Sequence, residues 1–191
     1  IFRVYFKNLF RFGGKFSNEN LPRESSINLE ENSSMSIVAK VIAQSDMSDR
    51  FLSSAELTQL QDFFNKGGVR ISAAQKLAAN EQKIVDQGSK QFWSQCSNTP
   101  SNSGYSQKTA LCQRDQGWYI RLVSYCVLAG NSKPLEDIGL DGMRDMYTSL
   151  QVPLANLKLA MRCLKSVAMG LLTSEEAALA GPYFDQLIRA F

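Results

Sequence analysis

The sequence of 191 residues contains no histidine. Histidine is the commonest metal ligand and general base at neutral pH, so its absence removes a Ser-His-Asp triad, a haem on a proximal histidine and most zinc sites. The four cysteines include no CxxC pair, which argues against zinc and thioredoxin-like motifs. Cysteines scattered through a helical chain fit a reducing compartment. They are Cys96, Cys112, Cys126 and Cys163.

Strong charge and long apolar runs are also missing. The net charge of +3 is too small to indicate binding to nucleic acid. No uninterrupted apolar run is long enough to span a bilayer. Few windows alternate between polar and apolar residues, so β-strands are not expected. The length suits one domain with a sizeable core, preceded by an arm.

From residue 35 onwards the pattern predicts helices almost throughout. The first two helices each carry an apolar side, and residues 72 to about 95 form either one long helix or two joined ones. Helices of mixed length without a heptad repeat favour a globin-like assembly over a coiled coil. The apolar sides comprise Ile37, Val38, Val41 and Ile42 in the first helix and Leu57, Leu60, Phe63 and Phe64 in the second. The expected boundaries are capping boxes at Ser53/Glu56 and Thr173/Glu176, glycine stops at Gly67–Gly68 and Gly130, and prolines in first turns at Pro134 and Pro153.

The centre of the chain, residues 110–122, is predicted to belong to a long helix. One side of this helix is marked by residues that recur at spacings of three and four, which is the helical repeat. This side of the helix comprises Leu111, Asp115, Trp118, Leu122 and Tyr125.

Cys112 brings a nucleophile into the same helix. Asp115 lies three residues further on, at a neighbouring position of the same face, and Tyr119 follows one turn later. With Arg114 and Trp118, a soft nucleophile, a carboxylate, a guanidinium and two aromatic rings fall within about 11 Å of helix axis. This combination suits a flat, conjugated, charged small molecule held by a covalent bond. The alternative is a core helix with an inert buried cysteine and ordinary surface charges.

Several segments in register resemble the phycobiliprotein family. Residues 112–115 (Cys-Gln-Arg-Asp) and 117–122 (Gly-Trp-Tyr-Ile-Arg-Leu) resemble its bilin-attachment segment. Residues 125–130 and 138–150 are similar to allophycocyanin alpha-type subunits. The Gly-Trp-Tyr variant is most similar to the red-shifted, allophycocyanin-B-like alpha subunits. The resemblance runs from about Met35 to Phe191.

This resemblance implies an all-α fold over residues 35–191, in which a globin-like helical domain is preceded by two N-terminal assembly helices. It also implies a covalently attached linear tetrapyrrole, phycocyanobilin, held by a thioether to Cys112. Asp115 would accept hydrogen bonds from the pyrrole N–H groups, and Arg114 and Lys108 would hold the propionates and favour the thiolate. The ring system would be walled by Trp118, Tyr119, Met146 and Tyr147.

The implied function is light harvesting rather than catalysis. The chain would pair with a beta-type allophycocyanin subunit, join phycobilisome core and linker proteins in rings or stacks, and pass excitation energy towards the photosystems. It would lie peripherally on the cytoplasmic or stromal face of the thylakoid membrane, with no metal and no nucleic acid. Arg121 would lie at the subunit interface, and Asp46 and Arg50 would make the reciprocal contact.

Two other interpretations stay open at this point. An oxygen- or haem-binding relative of the globins conflicts with the absence of histidine. An all-helical scaffold that keeps the fold but carries no pigment is compatible with the sequence, but it would make the pairing of Cys112 with Asp115 a coincidence. Cys96, Cys126 and Cys163 lack an Arg-Asp pair two and three residues later, so we expect structural roles for them.

Residues 1–34 form a separate region. Residues 1–15 mix aromatic with basic side chains and contain no acid, which is typical of a membrane-surface or partner-binding arm or of a transit peptide. Residues 16–34 are rich in Ser, Asn and Glu and predict a linker. Because Met35 resembles the start of a family member, we expect residues 1–34 to be upstream sequence rather than part of the mature domain.

Overall fold

The computed structural model describes residues 36–191, and this part of the chain consists of helices joined by short loops, without a β-strand. The all-α expectation is confirmed. None of the helices in the described part combines the length and the hydropathy that a bilayer span requires. The arm and linker predicted for residues 1–34 lie outside the described residues. The helices are α1 (Ile37–Asp46), α2 (Ser54–Asn65), α3 (Gly67–Ala79), α4 (Glu81–Gln95), α5 (Ser106–Ala129), α6 (Lys133–Leu135), α7 (Met143–Ser149), α8 (Leu154–Met169) and α9 (Ser174–Ala190), with a 3-10 turn (Pro100–Asn102) before α5 and a π-helical turn (Glu136–Leu140) after α6.

Both predicted capping boxes are present, at the starts of α2 and α9. Ser53 Oγ accepts a hydrogen bond from the Glu56 N–H over 3.3 Å, and Glu56 Oε2 accepts one from the Ser53 N–H over 2.7 Å. Thr173 and Glu176 form the same reciprocal pair. Gly130 ends α5 in the left-handed conformation with a φ of 66°, which a residue without Cβ adopts easily. Each of these signals acts over a few residues, so the sequence alone predicts it.

The expected glycine stop at residues 67–68 is wrong. α2 ends at Asn65, and both glycines lie in the first turn of α3. Lys66 is the single linking residue, with φ −82° and ψ 3°, so the chain passes from one helix to the next without a left-handed residue. A similar one-residue joint at Asn80 separates α3 from α4, which confirms two joined helices as the correct alternative for residues 72–95.

α5 is the central helix of the domain. It packs against α3, α4 and α9, while α4 also packs along α8. Buried residues follow one another almost continuously from Gln116 to Val127, so the helix is covered on several sides there. The predicted single stripe is therefore only partly correct. Leu122 is fully buried, whereas Leu111 is 44% exposed and Tyr125 is 47% exposed.

α1 and α2 are attached to this domain with little burial. α2 has no buried residue, and its predicted apolar side leaves Leu57 and Phe64 more than half exposed. Phe63 makes one attachment: the Arg70 guanidinium lies 3.8 Å from its ring centroid and donates to its carbonyl oxygen over 2.6 Å. The same ring meets Gly130 so closely that a Cβ there would come within 2.6 Å of Phe63 Cε2. The two helices thus present apolar side chains that the rest of the described chain does not cover.

Candidate functional site

Cys112 lies in the second turn of α5, close to the turn at residues 100–102. Its sulfur accepts a hydrogen bond from Gln116 Nε2 over 3.4 Å, and the buried Ser101 lies in the turn that packs against this helix. Gln116 and Ser101 are both buried, whereas Cys112 is half-buried. The sulfur therefore has polar partners on the protein side and stays accessible from outside.

Burial is the main influence on the ionisation of this thiol. It raises the pKa of Cys112, while hydrogen bonds from Ser101 and Gln116 lower the pKa and the Asp115 carboxylate raises it further. The thiolate is thus stabilised by neutral hydrogen-bond donors against an unfavourable environment. This differs from the sequence-based expectation, in which cationic neighbours favour the thiolate.

The two cations in that expectation are engaged elsewhere. Lys108 is exposed, and its ammonium lies over the Tyr105 ring at 5.4 Å from the centroid. Arg114 donates two hydrogen bonds, of 3.1 and 2.8 Å, to Oδ1 of its neighbour Asp115. Neither cation is among the influences on the Cys112 pKa, and their role in favouring the thiolate stays a prediction. Their contact with pigment propionates stays a prediction.

Asp115 is a shielded carboxylate, with its side chain 22% exposed. Burial raises the pKa of Asp115, and the Arg114 guanidinium offsets this only in part. Both bonds from Arg114 reach the same carboxylate oxygen. A carboxylate removed from water is stabilised by further donors, so this group is suited to a ligand that offers N–H groups.

Aromatic rings cluster on the next turn of α5. The ring centroids of Trp118 and Tyr119 are 5.0 Å apart, and Tyr119 is fully buried while Trp118 is half-buried. Phe191 joins this cluster to α7: its ring lies 5.7 Å from that of Tyr119 and 5.9 Å from that of Tyr147, both edge-on. Met146 of α7 is half-buried against the same core. The structure thus brings together around one core the four residues that were predicted to enclose the pigment rings: Trp118, Tyr119, Met146 and Tyr147.

The hydroxyls of Tyr119 and Tyr147 are buried and, within the described residues, lack a hydrogen-bond partner of ordinary geometry. Burial is the main cause of a raised pKa in both phenols, and the charge of Asp115 raises both further, which places the three groups close together. An unpaired buried polar group costs about 1–3 kcal/mol and calls for an explanation. Two such hydroxyls near a shielded carboxylate indicate a place for a polar ligand.

Sequence reasoning missed Phe191, Ser101 and Gln116. Phe191 carries no signal beyond being apolar, because only the folded α9 brings it to Tyr119 and Tyr147. Ser101 looks like an ordinary loop residue. Gln116 offered a weak signal, since a residue four positions after Cys112 faces it on a helix.

The predicted interface charges make contacts within the chain. Arg121 donates to Glu81 Oε1 over 2.6 Å, and Arg50 donates to Glu56 Oε2 over 2.7 Å. Asp46 is exposed at the last residue of α1. A role for Arg121, Asp46 and Arg50 at a subunit interface stays a prediction.

The other three cysteines have different surroundings from Cys112. All four are free, but Cys126 and Cys163 are buried, and Cys96 is half-buried at the end of α4. Burial raises the pKa of Cys126 to about 11. These surroundings agree with the structural roles expected for them.

The amino-acid sequence can be compared with those of known proteins. The family model described as phycobilisome protein matches residues 40–191. The chain belongs to the phycobilisome protein family. It is 45% identical over 159 residues to allophycocyanin subunit alpha-B of Picosynechococcus sp., a match that covers 82% of this chain and 99% of that protein. The allophycocyanin alpha-B chain of Synechococcus sp. is 46% identical over 158 residues, covering 81% and 97%. The allophycocyanin alpha chain of Pyropia haitanensis is 40% identical over 159 residues, covering 82% and 99%.

These matches confirm the resemblance stated from the segments around Cys112, including its alpha-type, alpha-B-like character. They also confirm the light-harvesting function and do not favour a pigment-free scaffold. The phycobilisome protein family consists of light-harvesting pigment proteins, and its allophycocyanins carry covalently bound bilins. Allophycocyanin alpha subunits assemble with beta subunits in the phycobilisome core, which is peripheral to the thylakoid membrane.

Proposed function

We propose that this chain carries phycocyanobilin in a thioether to Cys112 and acts as a low-energy, alpha-B-like pigment carrier in a phycobilisome core or a related assembly. One observation carries the proposal. A half-buried cysteine lies on the same helix face as a shielded carboxylate, close to the buried hydroxyls of Tyr119 and Tyr147, which lack a hydrogen-bond partner of ordinary geometry within the described residues. This donor and acceptor set fits a flat, charged molecule with several N–H and C=O groups.

Attachment needs only the Cys112 thiol on the protein side. Its S–H bond adds across a carbon–carbon double bond of the pigment's side group. A C–S bond and a C–H bond form, the S–H bond and the π bond break, and nothing is oxidised, reduced or expelled. The half-buried position of Cys112 allows this approach, and the resulting bond does not dissociate.

Asp115 and the aromatic residues then tune the attached group, which supplies the visible absorption. The Asp115 carboxylate accepts from its N–H groups and balances its positive charge, which is the tolerable way to bury an ionised acid. Torsion of the attached group is restricted by the side chains around it, because side chains packed in a core have little freedom to move. These are Trp118, Tyr119, Met146 and Tyr147. No substrate is turned over, so the proposed role is not enzymatic.

The partner that we propose is a beta-type allophycocyanin subunit, seated on the uncovered apolar residues of α1, α2 and the segment between them. Phe51 is 96% exposed there and Met47 is 76% exposed, which is unusual for large apolar side chains of a free monomer. Contacts with core and linker proteins and a position on the cytoplasmic or stromal face of the thylakoid membrane belong to the same proposal. Sedimentation of the chain with and without a beta-type subunit tests the pairing, and a monomer in both samples would contradict it.

The test of the proposal is Cys112→Ser in chain produced together with phycocyanobilin. We expect this variant to lose covalent pigment, seen as loss of zinc-enhanced fluorescence on a denaturing gel. Cys96→Ser is the matched control, because Cys96 is also half-buried and free, and it should keep the fluorescent band. Covalent pigment on the Cys112→Ser chain, or none on the unsubstituted chain, overturns the proposal.

A further inference from the structure

We propose that Gln116 is the positioning residue of the attachment site: its hydrogen bond holds the Cys112 sulfur in place and favours the reactive thiolate. This inference rests on the proposed attachment of pigment to Cys112. It assigns to one uncharged, buried side chain the activating part that the sequence suggested for Lys108 and Arg114.

The Gln116 amide is held between Ser89 and the Cys112 sulfur. Gln116 is 2% exposed and Ser89 is fully buried, so neither side chain has access to water for its hydrogen bonds. The Ser89 hydroxyl donates to Gln116 Oε1 over 2.8 Å. With its oxygen engaged by Ser89, the amide directs its N–H₂ group to the Cys112 sulfur, at 3.4 Å.

This arrangement suits a nucleophilic sulfur better than an inert one. An inert buried cysteine needs no polar partner, since a thiol behaves as a small hydrophobe. A thiolate in a shielded position needs donors, because burial alone raises the pKa of Cys112. Gln116 supplies such a donor without the long-range field of a cation, so the nearby Asp115–Arg114 pair can stay intact.

The other cysteines on neighbouring helices provide an internal contrast. Cys163 accepts one hydrogen bond, from Gln95 Nε2 over 3.5 Å. Gln95 is exposed, so its amide is not fixed by a buried partner in the way that Ser89 fixes Gln116. Among the cysteines of the described chain, only Cys112 combines a partly exposed position with a donor that is itself buried.

The test measures the reactivity of the thiol in the full, pigment-free chain. The rate at which iodoacetamide alkylates Cys112 is followed by peptide mapping over a range of pH. We expect Gln116→Leu to slow alkylation near pH 8 by about fivefold and to move the midpoint of the pH profile upwards, because the thiolate loses a donor. Ser89→Ala should act in the same direction with a smaller effect, since the amide is then free to rotate.

Gln113→Leu is the matched control, because Gln113 lies on the same helix and donates to Asp86 rather than to the thiol. Its pH profile should coincide with that of the unsubstituted chain. A profile that is unchanged in folded Gln116→Leu overturns the inference. If that variant does not fold, an unchanged profile in Ser89→Ala overturns it instead. The profiles are recorded without pigment, so failure of pigment to attach to the unsubstituted chain contradicts the proposed function and leaves this result separate.

Discussion

Asp115 near the start of α5 and Glu176 in the first turn of α9 are both shielded carboxylates, but the fold supplies their partners very differently. Glu176 is 3% exposed and accepts from Ser72 Oγ over 2.6 Å, from Lys76 Nζ over 2.7 Å and from the Thr173 N–H over 2.7 Å. Within the described chain, Asp115 accepts two hydrogen bonds of ordinary geometry, both from its neighbour Arg114.

The pKa values of the two groups follow this difference. Hydrogen bonds from Lys76 and Ser72 lower the pKa of Glu176 to about 2. Burial raises the pKa of Asp115, because the Arg114 guanidinium does not outweigh the loss of water. Glu176 has three donors within the chain and joins α3 to α9. Asp115 has fewer donors, which is the arrangement that we propose for a carboxylate that accepts from pigment N–H groups.

The largest effect that we expect comes from Glu176→Gln. Removing the charge weakens three hydrogen bonds at a buried position, so the free energy of unfolding should fall by about 2 kcal/mol. Urea unfolding followed by circular dichroism measures this. Glu175→Gln is the control, because Glu175 is exposed in the same turn and its loss should change stability by less than about 0.5 kcal/mol. Equal losses in the two variants would show that Glu176 is not a special position.

Tyr147→Phe tests the other side of the comparison. The variant removes a buried hydroxyl without a partner of ordinary geometry, so the pigment-free chain should gain about 1 kcal/mol of stability. Tyr183→Phe is the matched control at a half-buried tyrosine of α9, with an expected change below about 0.5 kcal/mol. A loss of stability in Tyr147→Phe would mean that the hydroxyl serves the fold rather than a ligand.

Asp115→Asn should leave stability almost unchanged and act on colour instead. In the pigment-free chain we expect a change in the free energy of unfolding below about 0.5 kcal/mol, because the ionised acid is not well stabilised there. In the pigment-bearing chain the attached group should remain, but its visible band should weaken and shift to the blue. Asp86→Asn, at a half-buried carboxylate of α4, is the control. A spectrum identical to that of the unsubstituted chain would count against a role for Asp115.

The smallest effect is a difference in the acid dependence of stability. The folded pKa of Glu176 lies below its usual value of 4.5, so its contribution is complete above that pH and is lost as pH falls towards about 2. The folded pKa of Asp115 lies above its usual value of 3.8, so its contribution is present below that pH and is lost as pH rises through the folded pKa. Urea unfolding of the pigment-free chain between about pH 3 and pH 6 should therefore decline less steeply towards acid in Glu176→Gln. Parallel curves for the two chains would contradict this assignment.

Sequence reasoning succeeded where the determining interactions are local. The capping boxes at Ser53 and Thr173 and the left-handed stop at Gly130 each depend on a few consecutive residues. The Gly67–Gly68 stop failed because a one-residue joint at Lys66 needs no left-handed residue, so the glycines could enter the next helix. The sequence pattern does not contain that choice.

The proposed nucleophile and acid could be named from the sequence, but the residues that support them could not. The spacing of Cys112 and Asp115 on one helix, with the family resemblance, predicted both roles. Phe191 reaches the aromatic cluster only through the packing of α9, and Ser89 meets Gln116 only through the packing of α4 on α5. Contacts between residues distant in sequence are set by tertiary packing, and helical periodicity carries no information about them.

The close meeting of Phe63 with Gly130 has a consequence for energy transfer. It is a contact between an N-terminal helix and the end of the helix that bears Cys112. Transfer between two dyes depends steeply on the separation and relative orientation of their transition dipoles. If a second subunit is seated on α1 and α2 as proposed, the bare Cα of Gly130 helps to fix that geometry. A methyl group at Gly130 would collide with the Phe63 ring and displace α2. The pigment of a subunit bound to α2 would then change its orientation relative to the pigment on Cys112.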